Sequence, residues 1–297
     1  MRETLKNADF FYILMGAFLF FVIHLILLVR WMIFIKALDL KVPFSRIISS
    51  FFIGLFFNLF LPTSTGGDVV KVWYMFKDTH HKARTVASVV SDRLCGYISI
   101  VLIATVAFIF GRTLIDDNSI LILIAGLAFF ASTILLVLFH EKSYSFCIRI
   151  FGRWHKIKDA LMRFHYAMAL LKNKLSSLFA AVGVSIISQS CLAVTWYLIA
   201  RGFHQDISIL YFFIFVPMTC VVASLPSIGG LGFRDAGTAY LFAKVGMATE
   251  IAVSISLINF LYMVLMGIIG WGFYVTSLSS GRVQHYQTDT GLSTEES

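Results

Sequence analysis

Asn58-Leu59-Phe60-Leu61-Pro62-Thr63-Ser64-Thr65-Gly66-Gly67-Asp68-Val69-Val70-Lys71 interrupts apolar sequence, and the next apolar segment carries Ser91-Asp92-Arg93. Pro62 lacks a backbone donor and its ring clashes with the preceding helical turn. Gly66 and Gly67 reach dihedrals that other residues avoid. In lipid such a break is tolerated only where protein or a wet cavity covers the freed backbone groups. Asp68 and Lys71, directly after the break, favour a cavity over simple packing. The stretch reads as a broken or re-entrant helix.

The surrounding composition fixes the class. Of 297 residues, 59% are hydrophobic and 13% charged, and 30 are Phe. Soluble domains carry about a quarter charged residues. A large soluble core is excluded, and the chain is expected to be an all-α, polytopic helical membrane protein with about 7–8 spanning helices. The apolar segments are 10–35, 44–62, 85–110, 118–139, 175–200, 207–224 and 248–277. They form a single transmembrane domain over 1–277, followed by a polar tail, 278–297, expected to be disordered. The first apolar run is too long, and lacks the small-residue site, for a cleavable signal peptide. The four cysteines include no Cys-x-x-Cys pair, so neither a disulfide framework nor a zinc site is expected. His80-His81 and His140-Glu141 offer no converging ligand set, and His24 reads as a packing residue. No nucleotide-binding loop or Ser-His-Asp order occurs. No cofactor is expected.

Charge sets the expected sidedness. Residues 142–174 hold Lys142, Arg149, Arg153, Lys156, Lys158, Arg163, Lys172 and Lys174 against one acid, Asp159. Positive charge in short connections marks the cytoplasmic side. Within this stretch Phe146, Ile150, Trp154, Ile157, Leu161, Phe164, Met168 and Leu171 recur at helical spacing. An amphipathic helix over about 143–174 is therefore expected on the cytoplasmic leaflet. Its basic face is matched by a lipid-facing stripe, so no nucleic acid is expected as a partner. The basic loop 77–84 also suits the cytoplasm. The loop 36–46, with Lys36, Lys41 and Arg46, sits badly on the outer side to which a count of crossings assigns it.

The interruption recurs. Leu225-Pro226-Ser227-Ile228-Gly229-Gly230-Leu231-Gly232-Phe233-Arg234-Asp235 repeats Leu-Pro, Gly-Gly and charge about 164 residues further on. Repeat 1 spans about 10–110 and repeat 2 about 175–277. Each break precedes a spanning segment with an acid near its start, Asp92 in one and Glu250 in the other. Paired, Gly/Pro-interrupted apolar segments point to a transport site. Counted crossings run the copies parallel; one uncounted crossing inverts them. With the third span starting near Arg84, Arg93 lies nine residues in, about 13 Å along the helix, near the midplane of a roughly 30 Å core. An ionisable group there costs at least a few kcal/mol unless paired. Asp92 adjoins it but points elsewhere on a helix, which leaves Asp68, Glu250 or an anionic substrate as its partner. The helix start at Gly66-Gly67 offers backbone amides to an anion. The candidate lipid-binding residues are Asn58, Gly66, Gly67, Asp68, Lys71, Asp92, Arg93, Gly229, Gly230, Arg234, Asp235 and Glu250.

At Asn58, Leu61-Pro62, Gly66, Asp68 and Lys71, at Arg93 with Gly96, and at Ser224-Leu225-Pro226 with Gly229-Gly230-Leu231-Gly232, the chain resembles the lysylphosphatidylglycerol synthase transmembrane (flippase-like) family. The resemblance covers nearly the whole chain. It implies a membrane unit that moves lipids, such as aminoacylated phospholipids or lipid-linked sugars, between leaflets. The bifunctional synthases add a soluble aminoacyl-transferase domain after this unit. Only about twenty polar residues follow here, so lysyl transfer from transfer RNA is not expected and the chain is not expected to be an enzyme. Lys71 stands where members often carry Arg, and Asp235 where they carry Glu.

Three functions fit these readings. The first is a lipid translocator of the cytoplasmic (inner) membrane, whose partners are an anionic phospholipid or polyprenyl-linked lipid. The second is an intramembrane lipid or glycolipid transferase built on Asp116-Asp117. The third is a non-transporting accessory subunit of a lipid synthase or glycosyltransferase.

Overall fold

The computed structural model describes residues 8–61, 66–76, 79, 81–111, 126, 171, 174–223 and 230–291. Segment 118–139 (apart from Gly126), the acid pair Asp116-Asp117, the amphipathic stretch 143–174 (apart from Leu171 and Lys174) and the break residues Pro62, Pro226 and Gly229 lie outside it.

The described residues form eight helices and no strands: α1 (Phe10–Ala37), α2 (Phe44–Asn58), α3 (Gly66–Met75), α4 (Lys82–Gly111), α5 (Leu175–Gly202), α6 (Ile209–Ala223), α7 (Phe233–Ala243) and α8 (Thr249–Gly291). Four are long and apolar enough to cross a membrane: α1, α4, α5 and α8. α8 continues to Gly291, into the stretch read as a tail. The segments 44–62 and 207–224, expected to span, are helical over only 15 residues each. That is about 22 Å, short of a roughly 30 Å hydrocarbon core.

Both short helices turn back on themselves. Asn58 accepts the Gly67 amide at 2.8 Å. Further from the turn, a Cβ on Gly54 would meet Lys71 Cβ at 3.3 Å. Contacts that pair 58 with 67 and 54 with 71 make α2 and α3 an antiparallel hairpin. Gly67 permits this closeness, since a side chain there would strike the Gly54 carbonyl and Asn58. α6 and α7 do the same. Ala223 faces Gly230, Val222 faces Gly237, and the Phe212 and Phe215 rings meet Phe242 at 5.0 and 5.2 Å.

The two halves share one pattern: long helix, hairpin, long helix. The ends of α1 and α5 match bond for bond. After α1, Leu40 N donates to Ile35 O and Asp39 N to Lys36 O; after α5, Gln205 N donates to Ala200 O and His204 N to Arg201 O. Each cap sets a non-glycine residue at positive φ, Asp39 at 52° and His204 at 56°. Asp and His are among the side chains that tolerate this left-handed region. α1 and α5 lie antiparallel against each other: Asp9 N donates to Gly202 O, Gly16 lies against Ile199, and Arg30 reaches Ser185. The halves are therefore inverted relative to each other, and the hairpin turn explains why counted crossings ran them parallel. The halves also interlock. α2 packs on α8 and α6 on α4, with Gly267 and Gly270 letting Leu59 and the Phe52 backbone approach α8. Trp31, Phe34, Trp196, Phe212, Phe215 and Phe242 fill the interior.

The hairpins place connections 38–43 and 76–81 on one face of the bundle, tied by Arg84 donating to Leu38 O at 3.4 Å. Connections 203–208 and 244–248 lie on the other. In a cysteine-free background, exposed cysteines at Lys41→Cys and His81→Cys should react with an impermeant maleimide from one side of the membrane. Ser208→Cys and Lys244→Cys should react only from the other. Labelling of Lys41→Cys and His81→Cys from opposite sides would show that α2 crosses the membrane.

Candidate functional site

Hairpin α2–α3 packs against α4, and α4 against α1 and α5. Five charged side chains meet there. Arg30, on α1, lies seven residues before the helix end, about 10 Å in. Its guanidinium forks onto Asp92 of α4, with Nε donating to Oδ1 at 2.7 Å and Nη2 to Oδ2 at 3.0 Å. Nη1 donates to Ser185 Oγ of α5 at 3.0 Å. Both partners are buried. One ion pair thus ties three long helices. Two parallel, charge-assisted bonds are the geometry that makes a buried pair tolerable.

Arg93 follows Asp92 in α4 but turns to a different neighbour. Its Nε donates to Asp68 Oδ2 of α3 at 2.5 Å. α4 starts at Lys82, so Arg93 is eleven residues, about 16 Å, along it. This pair is less enclosed, with side chains 37% and 16% exposed. It forms the rim of the cluster among the described residues.

Lys71, one turn beyond Asp68, is the innermost of the group at 4% exposure. Its Nζ lies 3.7 Å from the Trp31 ring centroid and 5.0 Å from that of Phe51. Trp31 is held in turn by Nε1 donating to Ser88 Oγ at 3.3 Å. Among the described residues no carboxylate pairs with Lys71, although it feels the fields of Asp92, Asp68, Arg93 and Arg30. Among the described residues Arg30, Lys71 and Arg93 share two carboxylates, Asp68 and Asp92, so the described part of the cluster holds one more cation than carboxylates.

In the second hairpin the described charges pair with each other. Arg234 of α7 is buried. Nε donates to Ser256 Oγ at 2.8 Å, Nη2 to Asp235 Oδ1 at 3.4 Å, and Nη1 to Met263 Sδ at 3.6 Å. The Ser256 hydroxyl donates to Asp235 Oδ1, and Asp235 Oδ2 accepts the Gly232 amide at 3.0 Å. Gly232 has φ 85°, a backbone that favours glycine. Counted from the starts of matching helices, Asp68 corresponds to Asp235, Lys71 to Thr238, Asp92 to Asn259 and Arg93 to Phe260. The Arg234 guanidinium sits 5.7 Å from that Phe260 ring.

The structure thus gathers Asn58, Gly67, Asp68, Lys71, Asp92 and Arg93 into one site, and Arg234 and Asp235 into a second, while Gly230 lies against Ala223. Gly66 opens α3 with Leu61 packed against it. Glu250 is exposed in the first turn of α8, where its carbonyl oxygen accepts from Ser254. The helix start at Gly66-Gly67 does not present the anion cradle expected of it, because Asn58 takes the Gly67 amide and Asp68 sets a carboxylate in the first turn. Asn259, at the position in α8 that matches Asp92, has a buried Oδ1 with no partner among the described residues. His24 is a satisfied packing residue, bonded through Nδ1 to Phe20 O at 2.9 Å. Arg30 and Ser185 escaped the sequence reading. A lone Arg deep in the apolar run 10–35 was the available signal, since such a residue requires a buried partner.

The family described as the lysylphosphatidylglycerol synthase TM region matches residues 1–270. A UPF0104 membrane protein of Pyrococcus horikoshii is 26% identical over 284 residues, covering 86% of this chain and 84% of that protein. A UPF0104 membrane protein of Methanothermobacter thermautotrophicus is 23% identical over 309 residues, covering 94% and 90%. No solved structure matches the chain.

The buried fork gives a stability test. Asp92→Asn leaves the Arg30 charge uncompensated and should cost about 3–5 kcal/mol in detergent unfolding, most of which the double replacement Arg30→Met/Asp92→Leu should restore. Asp206→Asn, which breaks the surface pair with Arg201, should cost about 0–1 kcal/mol. Equal effects of the two single changes would contradict the assignment.

Proposed function

The chain belongs to the lysylphosphatidylglycerol synthase transmembrane family, and from that premise we propose that it translocates an anionic lipid between the leaflets of the cytoplasmic membrane. The observation that carries this reading is the pair of inverted helical hairpins, one of which encloses an unbalanced positive charge. Inverted repeats whose broken helices meet at the bilayer midplane are the architecture of alternating access. In this reading α2–α3 and α6–α7 are re-entrant, one entering from each side. Each holds a carboxylate in the first turn of its return helix, Asp68 or Asp235, with a guanidinium against it.

The basic connections give the orientation. Lys36, Lys41, Arg46, Lys82 and Arg84 cluster on the face where α1 ends and α4 begins, and this face is cytoplasmic by the positive-charge rule. The loop 36–46 no longer sits on the wrong side, because the hairpin returns the chain to the face it left. Asp9, Asp206 and Glu250 then lie outside. The lipid headgroup enters past the half-open Arg93–Asp68 pair. Arg93 trades its carboxylate for the headgroup phosphate, whose planar two-point contact suits a guanidinium. The acyl chains remain in the bilayer.

Purified protein in liposomes should speed the exchange of a fluorescent phosphatidylglycerol between leaflets. Arg93→Ala, which removes a charged hydrogen bond, should slow that exchange at least about tenfold. Wild-type liposomes indistinguishable from empty ones would sink the translocator reading. Unaltered exchange in Arg93→Ala would remove Arg93 from the route.

A further inference from the structure

We infer that Lys71 is a movable counter-ion, held on the Trp31 and Phe51 rings while the site is empty and transferred to the phosphate of a lipid carrying one net negative charge when it is filled. This inference rests on the translocator reading and names the charge class of its substrate.

Three observations carry it. The first is the charge balance. Arg30 and Asp92 are locked by three hydrogen bonds that include Ser185, and Asp68 is engaged by Arg93. Lys71 alone of the three cations has no carboxylate partner among the described residues. A buried, unneutralised ammonium is an unstable arrangement, which an anion relieves. The second is the resting place. A ring face within about 6 Å attracts an ammonium without bonding it covalently or consuming its hydrogen-bond donors. The Trp31 face at 3.7 Å and Phe51 at 5.0 Å meet that condition, and all three ammonium protons stay available to phosphate oxygens. The third is spare polar capacity on the neighbouring helices. Ser50 on α2 and Ser91 on α4, the helices that flank α3, are fully buried, and their hydroxyls have no partner among the described residues.

One excess charge selects the ligand. A phosphodiester lipid such as phosphatidylglycerol brings one negative charge and closes the balance. A zwitterionic lipid brings its own cation and leaves the excess in place. The second hairpin puts Thr238 where Lys71 stands, with its hydroxyl donating to Arg234 O at 2.7 Å. The counter-ion therefore belongs to one half only.

Trp31 reports the transfer. The full-length protein is labelled with 5-fluorotryptophan, reconstituted in nanodiscs and followed by fluorine NMR, with the Trp31 signal assigned through Trp31→Phe. Raising phosphatidylglycerol in a phosphatidylcholine disc should shift the Trp31 signal as the ammonium leaves the ring. Pure phosphatidylcholine should not, and neither should inorganic phosphate added to it. Lys71→Met, which removes a buried charge rather than creating one, should abolish the shift and weaken phosphatidylglycerol binding at least about tenfold. Lys71→Arg should retain a shift. The inference is overturned by a Trp31 signal that ignores phosphatidylglycerol or responds equally to phosphatidylcholine. A response to inorganic phosphate alone overturns the lipid assignment. If wild-type protein exchanges lipid while Trp31 stays silent, the counter-ion falls and the translocator stands. If Trp31 responds without exchange, the reverse holds.

Discussion

A guanidinium inside a membrane bundle needs a carboxylate held against it, and Arg30 with Asp92 meets that need through two parallel hydrogen bonds at 2.7 and 3.0 Å. Much of the first half depends on this fork. It fixes α1 to α4, and through Ser185 it fixes both to α5. α4 then presents its next residue, Arg93, to the hairpin, where Asp68 waits in the first turn of α3. Neighbouring residues on one helix point about 100° apart, so a single Asp-Arg step serves two separate partners. Polar groups are costly in hydrocarbon, and here each commitment places the next.

The inverted halves share a frame but not a chemistry. Caps, hairpins and helix lengths repeat, down to the positive φ of Asp39 and His204. The interior charges do not. Among the described residues the first hairpin sets Lys71 over Trp31 without a carboxylate partner, whereas the second pairs Arg234 with Asp235 and links both through Ser256. Backbone geometry is set by turn and packing residues, Gly67 and Gly230 among them, and survives exchange of the polar side chains it carries.

The sequence made the class and the breaks legible, because apolar length and Leu-Pro with Gly-Gly are local signals. It also made Asp68, Lys71, Asp92 and Arg93 legible, since charge beside a break is rare in apolar sequence. It left the chain reversal open, as a broken or a re-entrant helix. A run such as 44–62 has the length of a crossing, and only the contact of Asn58 with Gly67 shows that α2 stops and returns. The orientation of the repeats was lost with it. Glu250 was matched to Asp92 by order along the chain, but measured from the helix starts the counterpart is Asn259, and Glu250 stays at the exposed end of α8. Arg30 is the lone Arg inside its apolar segment. Its partner lies 62 residues away, a distance no local pattern covers. The tasks of Gly66 and Gly67 were also misjudged: Asn58 occupies the Gly67 amide, and the lack of a side chain there serves helix contact.

Among the described residues the site holds one more cation than carboxylates, and Lys71 is the cation without a carboxylate partner. Thermal unfolding of the empty protein in a neutral detergent tests this directly through two substitutions of the same shape. Arg30→Met should destabilise by about 3–5 kcal/mol, because it abandons Asp92. Lys71→Met, despite losing a cation–π contact of about 0.5–2 kcal/mol, should raise the melting temperature by removing an uncompensated charge. A melting temperature lowered by Lys71→Met as far as by Arg30→Met would mean that Lys71 is paired like its neighbours, and the account would be wrong.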